Sequence, residues 1–86
     1  MSAEILIIDD NADIRSILKD LINDAGFKTR VAANYSQALA EIDKKLPDVA
    51  IIDVKLDKGD NDGIELLSHI KKKNKDIPVI IISGHA

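Results

Sequence analysis

Ile5-Leu6-Ile7-Ile8-Asp9-Asp10 sets four consecutive apolar residues directly before two carboxylates. The pattern recurs in Val49-Ala50-Ile51-Ile52, which ends at Asp53, and in Val79-Ile80-Ile81-Ile82, which ends at Ser83. Short unbroken apolar runs rich in β-branched residues suit strands buried on both faces, as in parallel sheets. A further strand is expected near Phe27 to Ala32, where Lys28 and Arg30 alternate along the run and mark it as an edge strand.

Between these runs the spacing is helical. Ile14, Ile17, Leu18, Leu21, Ile22 and Ala25 recur at three- and four-residue intervals, with Asn11 or Asp13 placed to cap the start and Gly26 to end the helix. Ala38, Leu39, Ile42 and Leu46 form a second stripe, capped by Asn34 or Ser36 and stopped at Pro47. Ile64, Leu67 and Ile70, with Leu66 beside them, predict the third. The order β-α-β-α-β-α-β predicts a parallel sheet with right-handed crossovers. In such sheets ligands bind beyond the carboxyl ends of the strands, where the strand order reverses.

The 86 residues allow one small domain, with 45% hydrophobic and 31% charged residues in the ordinary range of folded soluble chains. The absence of cysteine excludes disulfides, thiolate metal sites and a thiol nucleophile, and a cytoplasmic location is expected. No apolar stretch has the length of a membrane span, so no membrane partner is expected. A net charge of -3 argues against direct nucleic acid contact, which depends on neutralising phosphates. The basic run Lys71-Lys72-Lys73 with Lys75 reads as the last turn of a helix, where cations complement the helix dipole.

With a spatial order of 2-1-3-4, Asp9, Asp10, Asp53 and Ser83 gather at adjacent strand ends spaced roughly 4.8 Å apart. Carboxylates 4 Å apart repel by about 4 kcal/mol per pair at an effective dielectric near 20. A hard divalent cation relieves this. Magnesium takes one or two carboxylates and keeps positions open for phosphate oxygens, and a carboxylate beside it can accept a phosphoryl group. A lone Asp at a strand end is more often a cap or turn residue, a role that suits Asp13, Asp48, Asp57, Asp60 and Asp76. Three carboxylates with a serine at neighbouring ends exceed that explanation. His69 and His85 have no matching ligand partner, and structural or modulatory roles suit them best.

Ile-Leu-Ile-Ile-Asp-Asp-Asn from residue 5, Ile-Ile-Asp-Val from 51, Asp-Gly-Ile-Glu-Leu-Leu from 62 and Pro-Val-Ile-Ile-Ile-Ser-Gly-His-Ala from 78 together resemble the receiver domains of two-component signalling. The resemblance spans essentially the whole chain. It implies a flavodoxin-like (CheY-like) doubly wound α/β fold of order 2-1-3-4. It also implies that Asp53 is the phosphoacceptor and that Asp10 binds magnesium directly and Asp9 through water. Lys55 would give its backbone carbonyl to the metal, and Ser83 would be the switch hydroxyl. A sensor histidine kinase would be the phosphate donor, and transcription the regulated output.

Two departures stand out. The loop from Asp53 to Asp62 is longer than usual and lacks the common proline, which is similar to the NtrX-type regulators of the NtrC family. The chain also stops before the family's fourth helix, its fifth strand with a lysine, and its fifth helix. Residues 1–86 are therefore expected to be a receiver domain incomplete at its C-terminus, with Val79 to Ile82 as an open sheet edge inviting self-association or domain exchange. Two competing functions are a phosphatase of the haloacid-dehalogenase type and a pseudo-receiver that docks without being phosphorylated. Such phosphatases carry the nucleophile on the first strand with a second Asp two residues later, which Asp9-Asp10-Asn11-Ala12-Asp13 fits poorly.

Overall fold

The computed structural model describes residues 3–53 and 62–82. Its elements run β1 (Glu4–Ile8), α1 (Ala12–Asp24), β2 (Lys28–Ala32), α2 (Tyr35–Lys44), β3 (Val49–Asp53), α3 (Asp62–Lys73) and β4 (Val79–Ile82). The four strands form a parallel sheet in the order β2-β1-β3-β4. Ile8 lies opposite Ala32 on one side and Ile52 on the other, while Asp53 pairs with Ile82. These registers bring the carboxyl ends of β1 and β3 level with each other.

Local chemistry sets the helix limits. Of the two candidate caps of α1, Asn11 takes the role, its side chain accepting from the backbone N–H groups of Asp13 and Ile14 at 2.9 and 3.2 Å. The helix ends in a Schellman motif: Gly26 N–H donates to the Asn23 carbonyl at 3.0 Å and Phe27 N–H to that of Ile22 at 3.2 Å. The turn requires the positive φ of 98° at Gly26, which a residue with a Cβ adopts only at a cost. Asn34 rather than Ser36 caps α2, accepting from Gln37 N–H at 2.8 Å, while the Gln37 side chain accepts from Ala33 N–H at 2.8 Å. Each end of this reciprocal pair satisfies a backbone donor that the first turn leaves open.

The core lies between the sheet and the pair α2 and α3: Leu6, Ile8, Ala32, Ala38, Ile42, Ala50, Ile52, Leu66, Ile70 and Ile77 pack together. In α3 the structure differs from the stripe expected through Ile64 and Leu67. Gly63, Leu66 and Ile70 are buried, whereas Ile64 is 54% exposed. The helix carries apolar residues on two adjoining rows, and the row of Leu66 meets β3 and α2. Alternation along β1 sends Ile5 and Ile7 to the opposite face of the sheet. There α1 has no fully buried residue, and Ile14, Ile17 and Leu21 remain exposed.

Both outer strands of the described sheet show how an edge is handled. On β2, Arg30 lies 3.0 Å from Glu4 and donates to the Glu41 carboxylate and carbonyl, each at 2.9 Å, and to the Lys45 carbonyl at 2.6 Å. One guanidinium thus ties β1, β2 and the end of α2, and holds the Glu41 carboxyl below its ordinary pKa. On β4, Ile80 and Ile81 stay about half exposed. The three lysines expected at a helix end occupy the last turn of α3, where Lys71 donates to the carbonyls of Lys75 and Ile77.

Candidate functional site

Three carboxylates converge at the carboxyl end of the sheet. Asp53 is the last residue of β3, and Asp9 follows β1 immediately, its N–H donating to the Ala32 carbonyl of β2 at 3.1 Å. Because Ile8 and Ile52 are in register, the next residues on the two strands, Asp9 and Asp53, lie side by side. Both are 1% exposed, while Asp10 turns outward to solvent. One carboxylate oxygen from each of Asp9, Asp10 and Asp53 lies within 4.8 Å of the others.

The electrostatics follow from this placement. Burial pushes the Asp9 carboxyl above its ordinary pKa, and the nearby charges of Asp53 and Asp10 push the same way. A hydrogen bond from Asn11 N–H to Asp9 Oδ1, 2.9 Å long, opposes the rise. A donor set made only of carboxylate oxygens, two of them sunk at strand ends and one at the rim, suits a hard divalent cation and no soft one. The residues present therefore fit a metal of the magnesium class.

Of the residues singled out in the sequence, Asp9, Asp10 and Asp53 come together. Lys55, Ser83 and His85 lie outside the described residues. His69 serves elsewhere, its Nε2 lying 3.2 Å from Asp43 while Lys73 approaches the same carboxylate at 3.3 Å, so these groups link α2 to α3. Asp48 differs from the turn role expected for it: it accepts from Glu4 N–H at 2.7 Å and so ties the start of β3 to the start of β1.

Arg15 is a member of the site's surroundings that the sequence pattern did not single out. Its Nη1 donates to the Asp9 carbonyl at 2.7 Å. The available signal was its position one turn into a helix capped by Asn11, because helical side chains lean back toward the N-terminus and so toward the preceding strand end.

An open parallel sheet with a buried aspartate at the end of its third strand and an acidic pair after its first defines a receiver type of α/β fold. The chain belongs to the response regulator receiver domain family, whose pattern matches residues 5–86. It is 39% identical over 85 residues to the nitrogen assimilation regulatory protein NtrX of Azorhizobium caulinodans, covering 99% of this chain and 19% of that protein. The crystal structure of NtrX from Brucella abortus superimposes with a TM-score of 0.88 at 40% identity, over all of this chain and 19% of the other. A CheY-like receiver domain protein from Methanospirillum hungatei gives a TM-score of 0.90 at 29% identity, covering all of this chain and 67% of that one. The chain thus spans about a fifth of the length of these NtrX relatives. Among the described residues no helix is long and apolar enough to cross a membrane.

Proposed function

We propose that this chain is a phosphorylation-controlled signalling switch in which Asp53 accepts a phosphoryl group from a sensor histidine kinase. The observation that carries the reading is the buried Asp53 carboxylate at a strand end, with Asp9 and Asp10 within 4.8 Å. An Asp53 oxygen attacks the phosphorus of a phosphohistidine, the P–N bond breaks as the P–O bond forms, and the imidazole nitrogen leaves with the electron pair. A magnesium ion, when bound by Asp9, Asp10, Asp53 and the Lys55 carbonyl, supplies neutralisation of the charge on the phosphoryl oxygens. Ser83, one residue beyond β4, is the group to hydrogen-bond the transferred phosphoryl and pass its presence to the surface.

The product is a shifted conformational population and no released metabolite, so the chain acts as a regulator and not as a metabolic enzyme. The name of one longer relative, the transcriptional regulatory protein ZraR of Klebsiella oxytoca, supports transcription as the output, and the proposed location is the cytoplasm. The haloacid-dehalogenase reading fits poorly, since Asn11 and not an aspartate stands two residues after Asp9 at the end of the first strand.

Incubation with acetyl phosphate and magnesium is expected to add one phosphoryl group by intact-mass spectrometry, none without magnesium, and none in Asp53→Asn. Absence of any gain in the unaltered protein would leave a docking module in place of a phosphoacceptor. A second expectation rests on β4, an outer strand of the described sheet, with Ile80 and Ile81 exposed. Sedimentation velocity should show concentration-dependent association through this edge, with no direct nucleic acid contact required, and a monomer at all concentrations removes the proposal.

A further inference from the structure

Asp9 is held from three sides. Its N–H donates to Ala32 on β2 at 3.1 Å, its Oδ1 accepts from Asn11 N–H at 2.9 Å, and its carbonyl accepts from Arg15 Nη1 at 2.7 Å. The first bond continues the sheet, and the second closes the turn that caps α1. The third reaches back from within α1 across the turn, and it alone brings a full positive charge. Asp9 and Asp53 are both buried, so the path of the backbone at Asp9 sets how their carboxylates face each other.

We propose that Arg15 is a positioning residue for the metal-binding turn. By gripping the Asp9 carbonyl it fixes how the turn from Asp9 to Asn11 leaves β1, and so where the Asp9 and Asp10 carboxylates stand relative to Asp53. Arg15 touches neither metal nor phosphoryl group; it acts through Asp9. The inference rests on the reading of this site as a magnesium-dependent phosphoacceptor.

Outer partners of metal ligands typically contribute tenfold to a hundredfold in metal affinity. Isothermal titration of magnesium into the protein and into Arg15→Met should therefore show a dissociation constant weakened by about tenfold or more. Lys19→Met, which removes a charge one turn further along α1, should keep the original constant. The backbone amide resonances of Asn11 and Ala12 should also shift in metal-free Arg15→Met, a signature that a loss of stability elsewhere would not produce. Should Arg15→Met fail to fold by circular dichroism, Arg15→Ala, which likewise removes the donor, carries the same criterion at a temperature below its melting point.

An unchanged constant in the folded Arg15 variant, with binding abolished in Asp10→Asn, overturns the role of Arg15 and leaves the metal site standing. No magnesium binding by the unaltered protein overturns both. A weakening as large in Lys19→Met as in Arg15→Met also overturns the proposal, because it reduces the effect to general surface charge.

Discussion

Magnesium at a hundred times its dissociation constant is expected to stabilise the folded protein by about 2.7 kcal/mol, which for a domain of this size raises the melting temperature by roughly 11 to 22 °C. The gain arises because only the folded chain gathers Asp9, Asp10 and Asp53 within 4.8 Å. Asp10→Asn should remove most of it at constant ionic strength. Scanning calorimetry checks this, and an equal rise in the variant would mean that salt screening alone is at work.

The same cluster sets an unusual pH dependence without metal. Asp9 has its pKa raised in the folded protein, chiefly by burial, so the native state holds this proton more tightly than the unfolded chain does. Its ionisation is therefore a cost, fully present above the raised pKa. The cost is relieved as pH falls through that value and gone below the ordinary value of 3.8. Glu41 behaves in the opposite sense: its lowered pKa contributes stability that is lost on acidification. Comparing the protein with Asp9→Asn isolates the Asp9 contribution. Near neutral pH the metal-free variant should be the more stable, because it carries neither the desolvation of a buried carboxylate nor its repulsion by Asp53 and Asp10. The advantage should vanish in acid, and chemical denaturation across the pH range is the measurement.

Replacing Ile52 with alanine is expected to cost about 2–5 kcal/mol. Ile52 is fully buried and lies in register between Ile8 of β1 and Ile81 of β4, so the cavity cannot close without moving strands. A domain of this length buries a modest fraction of its surface, and native proteins are stable by only about 5–15 kcal/mol. A loss of that size therefore removes a large part of the whole. Because Ile52 immediately precedes Asp53, loosening β3 should also lower phosphoryl uptake. Ile17→Ala, at a residue 55% exposed on α1, should change stability far less. Urea midpoints compare the two, and equal losses would contradict the placement of the core on the α2 and α3 side.

Much of this molecule is legible in local pattern. Four-residue apolar runs ending in Asp9-Asp10, Asp53 and Ser83 mark strands and strand ends; β1 is buried on both faces, whereas β4 leaves Ile80 and Ile81 about half exposed. Asn11, Gly26 and Asn34 mark helix limits because their side chains, or the lack of one, answer the unsatisfied backbone groups there. Resemblance of the motifs then pointed to the receiver family.

Other features needed the folded chain. Which strands are neighbours is decided by packing between residues far apart in sequence; the order implied by the resemblance is the one observed, and its pairing of β1 with β3 makes Asp9 and Asp53 adjacent. In α3, periodicity offered two apolar rows, and contact with β3 and α2 selected Leu66 over Ile64. Arg15 carries only the mark of its place one turn after the Asn11 cap, and the raised pKa of Asp9 has no counterpart in composition. Sequence alone determined which residues stand at strand ends, because that depends on hydrophobic spacing along the chain. Tertiary structure decided which of them share a site and in what state of charge, because repulsion and desolvation depend on distances and burial that exist only once the strands have paired.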